Sequence, residues 1–187
     1  SDSAQNKTAG LTLTVTLAAA YEAGSSIIVT FACDDTAGTY SVADTALNTY
    51  TEDATVTNSG NVTTKVFSAH NIASLAIGNT IVITHPLLTA RAAVSANFRG
   101  IETSSPLDLN LTATGTSTGP QVNNTTTNTA QANEVIIGAY GGEGPNGDVW
   151  GDPTTLSDEN IVAQNGTTTG GAASNITVFM MYTVATA

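Results

Sequence analysis

A strict alternation of apolar and threonine residues near the start of the chain is the feature that most constrains the fold. Leu11, Leu13, Val15 and Leu17 alternate with threonines at positions 12, 14 and 16. Successive side chains of a strand point to opposite faces, so this spacing predicts a strand with one buried face and one solvent face. No segment has a convincing period of 3.6 residues, and the sequence therefore predicts a chain built of strands.

The same reasoning along the chain predicts about nine short strands. Residues 27–33 are apolar at all but one position, which is typical of a central strand covered on both faces. Further strands are predicted around residues 40–42, 62–67, 80–84, 92–98, 107–111, 135–140 and 176–184. We expect His85 and Pro86 to end the strand at 80–84, because proline cannot donate to a ladder. The predicted fold class is all-β, an antiparallel β-sandwich of about nine strands, either jelly-roll or Ig-like.

The length of 187 residues favours a single β-sandwich domain over residues 1–187,. Within it we expect a flexible N-terminal lead (1–9), a polar loop (115–132) and a Gly-rich insertion (141–171). The lone Cys33 cannot form an internal disulfide and is interpreted as a small buried hydrophobe. The start at Ser1 fits either a mature chain after leader removal or a chain that has lost its initiator methionine.

Charge excludes several classes of function. The chain has 4 Lys and Arg against 15 Asp and Glu, a net charge of -11, and 34 threonines. So few cations cannot neutralise a nucleic-acid backbone, and no apolar run is long enough for a membrane span. An acidic chain rich in hydroxyl and amide side chains suits an extracellular, cell-surface or virion-surface location.

Several turn and core stretches together resemble a known group of domains. They are residues 24–29 (GSSIIV), 42–50 (VADTALNTY), 78–84 (GNTIVIT), 92–100 and 107–115. They resemble secreted prokaryotic and viral surface β-sandwich domains, in which a G-d-x-I-V-V strand precedes a D-x-x-G-N-x-Y turn. Leu47 stands where the turn glycine of that pattern is expected. The resemblance implies a structural building block of adhesion proteins or virus particles, and it brings no catalytic residue.

The residues that could carry chemistry form no catalytic constellation, so we expect a protein that is not an enzyme. Paired acids in the turns are interpreted as solvated corners. No cofactor is predicted. The one alternative is a calcium ion, because Asp148 and Asp152 in a Gly-rich loop have the oxygen ligands that calcium prefers,. Trp150 in the same loop is either a loop anchor or a glycan-stacking platform.

Seven N-x-S/T sequons would accept glycans if the source has the machinery. They lie at Asn6, Asn61, Asn110, Asn123, Asn124, Asn165 and Asn175.

The low charge of the predicted strands favours self-assembly as the function. Natural sheets protect their edges with lysines or inward charges, and this chain has few of either. Leu11, Leu13, Val15 and Leu17 mark the strand we expect to pair with a neighbour, and the last strand (176–184) is expected to be equally available. The sequence therefore predicts a non-enzymatic structural subunit on a cell or virus surface, either a pilus-like filament subunit with a donated strand or a capsid decoration protein. The alternative is a secreted carbohydrate-binding or adhesion module.

Overall fold

The computed structural model describes residues 1–116, 133–144, 160–171 and 174–185. They form an all-β fold of three antiparallel sheets, which confirms the predicted class, but with eleven strands instead of about nine. The strands are β1 (Asp2–Asn6), β2 (Gly10–Thr16), β3 (Ser26–Asp34), β4 (Ser41–Asp44), β5 (Thr51–Asn58), β6 (Val62–Ala69), β7 (Thr80–Leu88), β8 (Arg91–Phe98), β9 (Glu134–Glu143), β10 (Asn160–Gly166) and β11 (Ile176–Ala185).

A five-stranded sheet in the order β1-β8-β3-β6-β5 forms the middle layer. Strand β3 shows that this layer is covered on both faces, because its alternate residues enter two separate apolar cores. Ile27, Val29 and Phe31 belong to the first core, and Ile28 and Ala32 belong to the second. The prediction of a central strand at residues 27–33 is therefore confirmed.

Two three-stranded sheets cover the two faces of the middle layer. The first outer sheet, in the order β2-β7-β4, closes the first core with residues such as Val15 and Ile83. The second outer sheet, in the order β10-β11-β9, closes the second core with Val178 and Met180. It approaches the middle sheet closely at Gly141, where an added Cβ would lie 2.8 Å from the Cβ of Ala32.

The expected N-terminal lead contains strand β1, which pairs with β8 along its whole length. The carboxylate of Asp2 fixes this strand, since it accepts hydrogen bonds from Ala18 N at 2.7 Å and from the Tyr21 hydroxyl at 2.9 Å. The interpretation of residues 1–9 as a flexible lead is therefore wrong for Asp2–Asn6. The segment forms a strand because it pairs with β8, almost ninety positions away in the sequence, and no local pattern predicts this pairing.

Two other strands also lie where none was predicted, and one predicted strand does not form. Strand β5 has only weak alternation, and β10 lies inside the expected Gly-rich insertion 141–171. Residues 107–111 alternate as a strand should, but they pair in no ladder.

Strand β7 continues through Pro86 to Leu88, so the prediction that proline would end it is wrong. Strand β2 pairs Gly10 with Leu88 and Thr12 with Thr84, and a bulge lies between these two pairs. Strand β4, on the other side, pairs with no residue beyond Thr84. Pro86 thus lies where neither neighbour needs its missing N–H, a place where sheets accept proline.

The turn after β4 forms even though Leu47 replaces the expected glycine. Leu47 has a φ of 61°, in the left-handed region that glycine favours,. Asp44 holds the turn, because its Oδ1 accepts hydrogen bonds from the backbone N–H groups of Ala46 and Asn48 at 2.9 and 3.1 Å. Its Oδ2 accepts a hydrogen bond from the Tyr50 hydroxyl at 2.9 Å. Burial raises the pKa of Tyr50, and the hydrogen bond to the Asp44 carboxylate and its charge raise this pKa further.

Candidate assembly surfaces

Beyond the bulge, where Leu11 and Leu87 are exposed, the solvent face of the first outer sheet contains small uncharged side chains. Because Leu13 and Val15 point into the core, Thr12, Thr14 and Thr16 point outward,. The ladder places them opposite Thr84, Val82 and Thr80 of β7, and Ser41 and Ala43 of β4 continue two of these rows. We call these eight residues the threonine face. In a chain of net charge -11, a face of this kind can be covered without removing ions from water.

Strand β2 is an edge of that sheet, and within the described residues it pairs only with β7. Its seven residues include no charged residue and no proline, so it has none of the usual protections of an edge. Leu13 and Val15 are 4 % and 0 % exposed. Strand β2 is therefore held in the first core of its own chain. Only its unpaired edge is open to pairing with another chain.

A buried arginine fixes the start of β2. Arg91 is 2 % exposed, and its Nη1 donates to the carbonyl oxygens of Thr8, Leu88 and Thr89 at 2.8, 3.1 and 3.1 Å. Its Nη2 donates to the carbonyl oxygen of Thr12 at 3.0 Å. Backbone carbonyls thus take the place of a carboxylate partner, and they tie the bulge between β2 and β7 to the middle sheet.

His85 lies in the same bulge. It is 3 % exposed, its ring stacks on Phe31 at a centroid distance of 5.7 Å, and its Nδ1 lies 2.6 Å from the carbonyl oxygen of Pro86. Burial lowers the pKa of His85, and the positive charge of Arg91 lowers it further. The ring is therefore neutral at pH 7.

The last strand is not available for pairing, contrary to the expectation from sequence. Strand β11 lies between β9 and β10 and makes a ladder with each of them. Its alternating apolar residues mark a central strand of a sheet that covers the second core. Nearness to the end of the chain did not distinguish an edge strand from a central one.

Residues 110–115 run beside β5, the edge strand of the middle sheet. The side-chain amide of Asn110 donates to the carbonyl oxygen of Asp53 at 2.6 Å, and that of Asn58 donates to the carbonyl oxygen of Gly115 at 3.3 Å. Both contacts join residues that are 57 positions apart. Equal numbers of residues therefore cover the same length of β5, so residues 110–115 are extended and run parallel to the strand.

Three leucines of residues 107–111 are half-exposed. Leu107, Leu109 and Leu111 are 47 %, 42 % and 50 % exposed.

A lysine near the N-terminus joins the first strands to the second outer sheet. The Nζ of Lys7 donates to Ser174 Oγ at 2.8 Å, to Asn175 Oδ1 at 2.9 Å and to the carbonyl oxygen of Thr169. The partners lie more than 160 positions away, so no spacing in the sequence could have revealed this contact.

The predicted glycosylation sites differ in accessibility. Asn6 and Asn110 are exposed, while Asn61 and Asn165 are half-buried. Asn175 is 1 % exposed, and its Nδ2 donates to the carbonyl oxygen of Gly171 at 2.9 Å. A glycan on Asn175 would have to displace this hydrogen bond.

The remaining predicted sites lie outside the described residues. These are the calcium ligands Asp148 and Asp152, the stacking residue Trp150, and the sequons at Asn123 and Asn124. In the described part of the chain, no three His, Cys, Asp or Glu side chains come together as metal ligands do. No helix among the described residues has the length and apolarity needed to cross a membrane. Cys33 is fully buried, and burial raises the pKa of its thiol to about 12.

A groove of about 480 Å³ lies between the end of β8 and the second outer sheet. Phe98 and Tyr182 line it as an edge-to-face pair with ring centroids 5.4 Å apart. Arg99, at the rim, forms an exposed ion pair with Glu22.

Comparisons with protein families, with characterised proteins and with solved structures found no match for this chain.

Proposed function

We propose that the chain is a non-enzymatic structural subunit that assembles with copies of itself through strand edges on the outside of a cell or virus particle. The observation that carries this proposal is the edge of β2. It is seven residues long, has no charge or proline, and is unpaired on one side within the described chain. Such an edge is a template for backbone pairing with another chain.

Pairing of β2 with β2 of a second copy joins the two first outer sheets into one continuous sheet. Antiparallel pairing about a two-fold axis uses the same surface on both copies, the commonest symmetry of soluble oligomers. The threonine face then doubles in area without adding a charge. Leu13 and Val15 stay in their own core throughout, so the assembly needs no donated strand. This favours edge pairing over a pilus-like exchange of strands.

The surface location follows from composition. A chain with a sequence pI near 4.1 and few lysines has a surface of hydroxyl and amide groups, which suits repeated packing at a cell or virion surface. Electron microscopy of the native source distinguishes the two forms of the proposal, since a fibre indicates a filament subunit and a lattice indicates a decoration protein.

The test compares two lysine variants. Thr14→Lys places a charge in the centre of the threonine face beside the open edge, and Thr49→Lys adds the same charge at an exposed position outside β2. We expect the wild type and T49K to associate as concentration rises in sedimentation experiments, and T14K to remain monomeric with an unchanged melting temperature. A wild-type chain that stays monomeric up to millimolar concentration would overturn the proposal.

Carbohydrate binding is a second candidate, supported by the aromatic pair in the groove. Phe98 and Tyr182 line the groove beside polar residues such as Asn97, and the face of an aromatic ring is a surface on which a sugar ring can stack. The matched variants are Tyr182→Ala and Trp150→Ala, measured on a glycan array. Loss of a wild-type signal in Y182A places binding in the groove, and loss in W150A places it in the loop. No wild-type signal removes this candidate.

A further inference from the structure

Two buried nitrogen atoms at the bulge between β2 and β7 have no hydrogen-bond partner within the described residues. They are Nε of Arg91 and Nε2 of His85. Arg91 is 2 % exposed and His85 is 3 % exposed, so bulk water does not reach either atom. Most buried polar groups in proteins are hydrogen-bonded, and an exception calls for a physical explanation. In the part of the chain that the structure describes, no other buried side-chain nitrogen or oxygen atom lacks a partner, so a common cause for these two is indicated.

The two side chains enter the same end of the first core from different sheets. His85 extends from β7 in the first outer sheet and stacks on Phe31, and Arg91 extends from β8 in the middle sheet. The carbonyl oxygen of Thr12 accepts a hydrogen bond from Arg91 Nη2 at 3.0 Å. Burial lowers the pKa of His85, and the backbone of Thr12 acts against this and raises it. Both side chains therefore lie around one backbone carbonyl of β2.

The positions of the hydrogen atoms decide which kind of ligand fits between these side chains. Nδ1 of His85 lies 2.6 Å from the carbonyl oxygen of Pro86, and a carbonyl oxygen can only accept. Nδ1 therefore carries the proton of the neutral ring, and Nε2 has a lone pair. Nε of Arg91, in contrast, always carries a hydrogen atom. The ligand must accept a hydrogen bond from Arg91 and donate one to His85.

This requirement excludes ions of either sign. An anion would accept from Arg91 Nε, but the lone pair of His85 Nε2 would repel it. A metal ion would bind that lone pair, but it would meet the N–H of a positively charged guanidinium. A water molecule both accepts and donates, and buried waters make about three hydrogen bonds to groups that are otherwise unsatisfied.

We propose that the bulge holds one buried water molecule, which accepts a hydrogen bond from Arg91 Nε and donates one to His85 Nε2. Its second hydrogen atom donates to the carbonyl oxygen of Thr12, which also accepts from Arg91 Nη2. The water thereby joins β2, β7 and β8, and so the two sheets around the first core. Such a molecule is part of the fold and holds the start of the β2 edge in place, whether or not that edge pairs with another copy.

Nuclear magnetic resonance of the wild type tests both parts of the proposal. The ring nitrogen chemical shifts of His85 at pH 7 should show the proton on Nδ1 and a hydrogen-bonded lone pair on Nε2. A water that stays bound for longer than the protein takes to tumble should give cross-relaxation peaks with the two ring hydrogens that flank Nε2. A proton on Nε2, or the absence of these peaks, would overturn the proposal.

Two matched variants allow the long-lived waters to be counted by magnetic relaxation dispersion of the solvent. His85→Phe keeps a flat ring against Phe31 but removes the acceptor nitrogen, so it should lose one long-lived water. His70→Phe is the control, because Nδ1 and Nε2 of His70 already lie 2.8 and 2.9 Å from the hydroxyl oxygens of Ser26 and Ser68. It should keep the wild-type count. If H85F retains as many long-lived waters as the wild type, the proposed site is wrong. If H85F does not fold, the spectra of the wild type decide.

Discussion

Replacement of Leu47 by glycine should stabilise the protein, and the expected gain follows from the geometry of the turn. Leu47 has a φ of 61° and is 87 % exposed. The left-handed conformation costs a residue with a Cβ about 1–2 kcal/mol of conformational free energy, and it costs glycine almost nothing. The exposed side chain buries little surface, so its removal loses little apolar contact.

The opposing cost lies in the unfolded chain. Glycine has more conformations to lose on folding, which subtracts about 0.4–1 kcal/mol from the gain. The net expectation for Leu47→Gly is a free energy of unfolding higher by about 0.5–1 kcal/mol. For a chain of 187 residues, this is a rise in melting temperature of about 1–4 °C.

Leu47→Ala is the control, because alanine loses the same side chain but keeps the Cβ and therefore the strain. Chemical denaturation at pH 7 should place L47A within about 0.5 kcal/mol of the wild type and L47G clearly above both. If L47G is no more stable than L47A, the turn is not strained at this position, and the argument from the φ of Leu47 would be refuted.

Three further predictions concern other parts of the fold. Burial lowers the pKa of His85 below its ordinary value of 6.5, so the unfolded chain binds a proton more readily than the folded one. As the pH is lowered through about 6.5, the free energy of unfolding measured in denaturant titrations should therefore decrease. The decrease should be less steep in His85→Gln. Lys7→Met should lower the free energy of unfolding by about 1–2 kcal/mol and speed hydrogen exchange in β10 and β11, since three hydrogen bonds from the lysine Nζ are lost,. Gly141→Ala should cost about 1–3 kcal/mol in thermal melts because the added methyl overlaps Ala32 and Thr64,, whereas Gly171→Ala, which meets open space, should be close to neutral.

The sequence was most informative where one strand buries enough side chains to impose its own pattern. Strand β2 buries Leu13 and Val15 on one face, and β3 buries residues on both, so each could be recognised from its period alone. Strand β1 has no such pattern. It exists because its backbone pairs with β8 and because Asp2 accepts two hydrogen bonds from distant groups. Contacts of that range leave no trace in local spacing.

The segment 107–111 shows the converse, since a correct local pattern produced no strand. The side-chain amides of Asn58 and Asn110 join residues 110–115 to the neighbouring strand β5. Side-chain contacts of this kind replace the ladder that the alternation predicts. The same limit applies to the assembly sites, because a sequence indicates which strands are uncharged but not which of them end up at an edge.

The edges of the two sheets around the first core explain why the proposed assembly site is placed at β2. Strand β5 is lined by residues 110–115, and β4 is only four residues long and ends in the Asp44 turn. Strand β1 is five residues long and includes the buried charge of Asp2. Short length, cover and charge are ways in which natural sheets avoid unwanted pairing. Among these four edges, only β2 lacks all three protections within the described residues, although Arg91 and the bulge fix it firmly in the fold. An edge that is firmly held in the fold and lacks these protections is the reason for proposing that a partner chain pairs with β2.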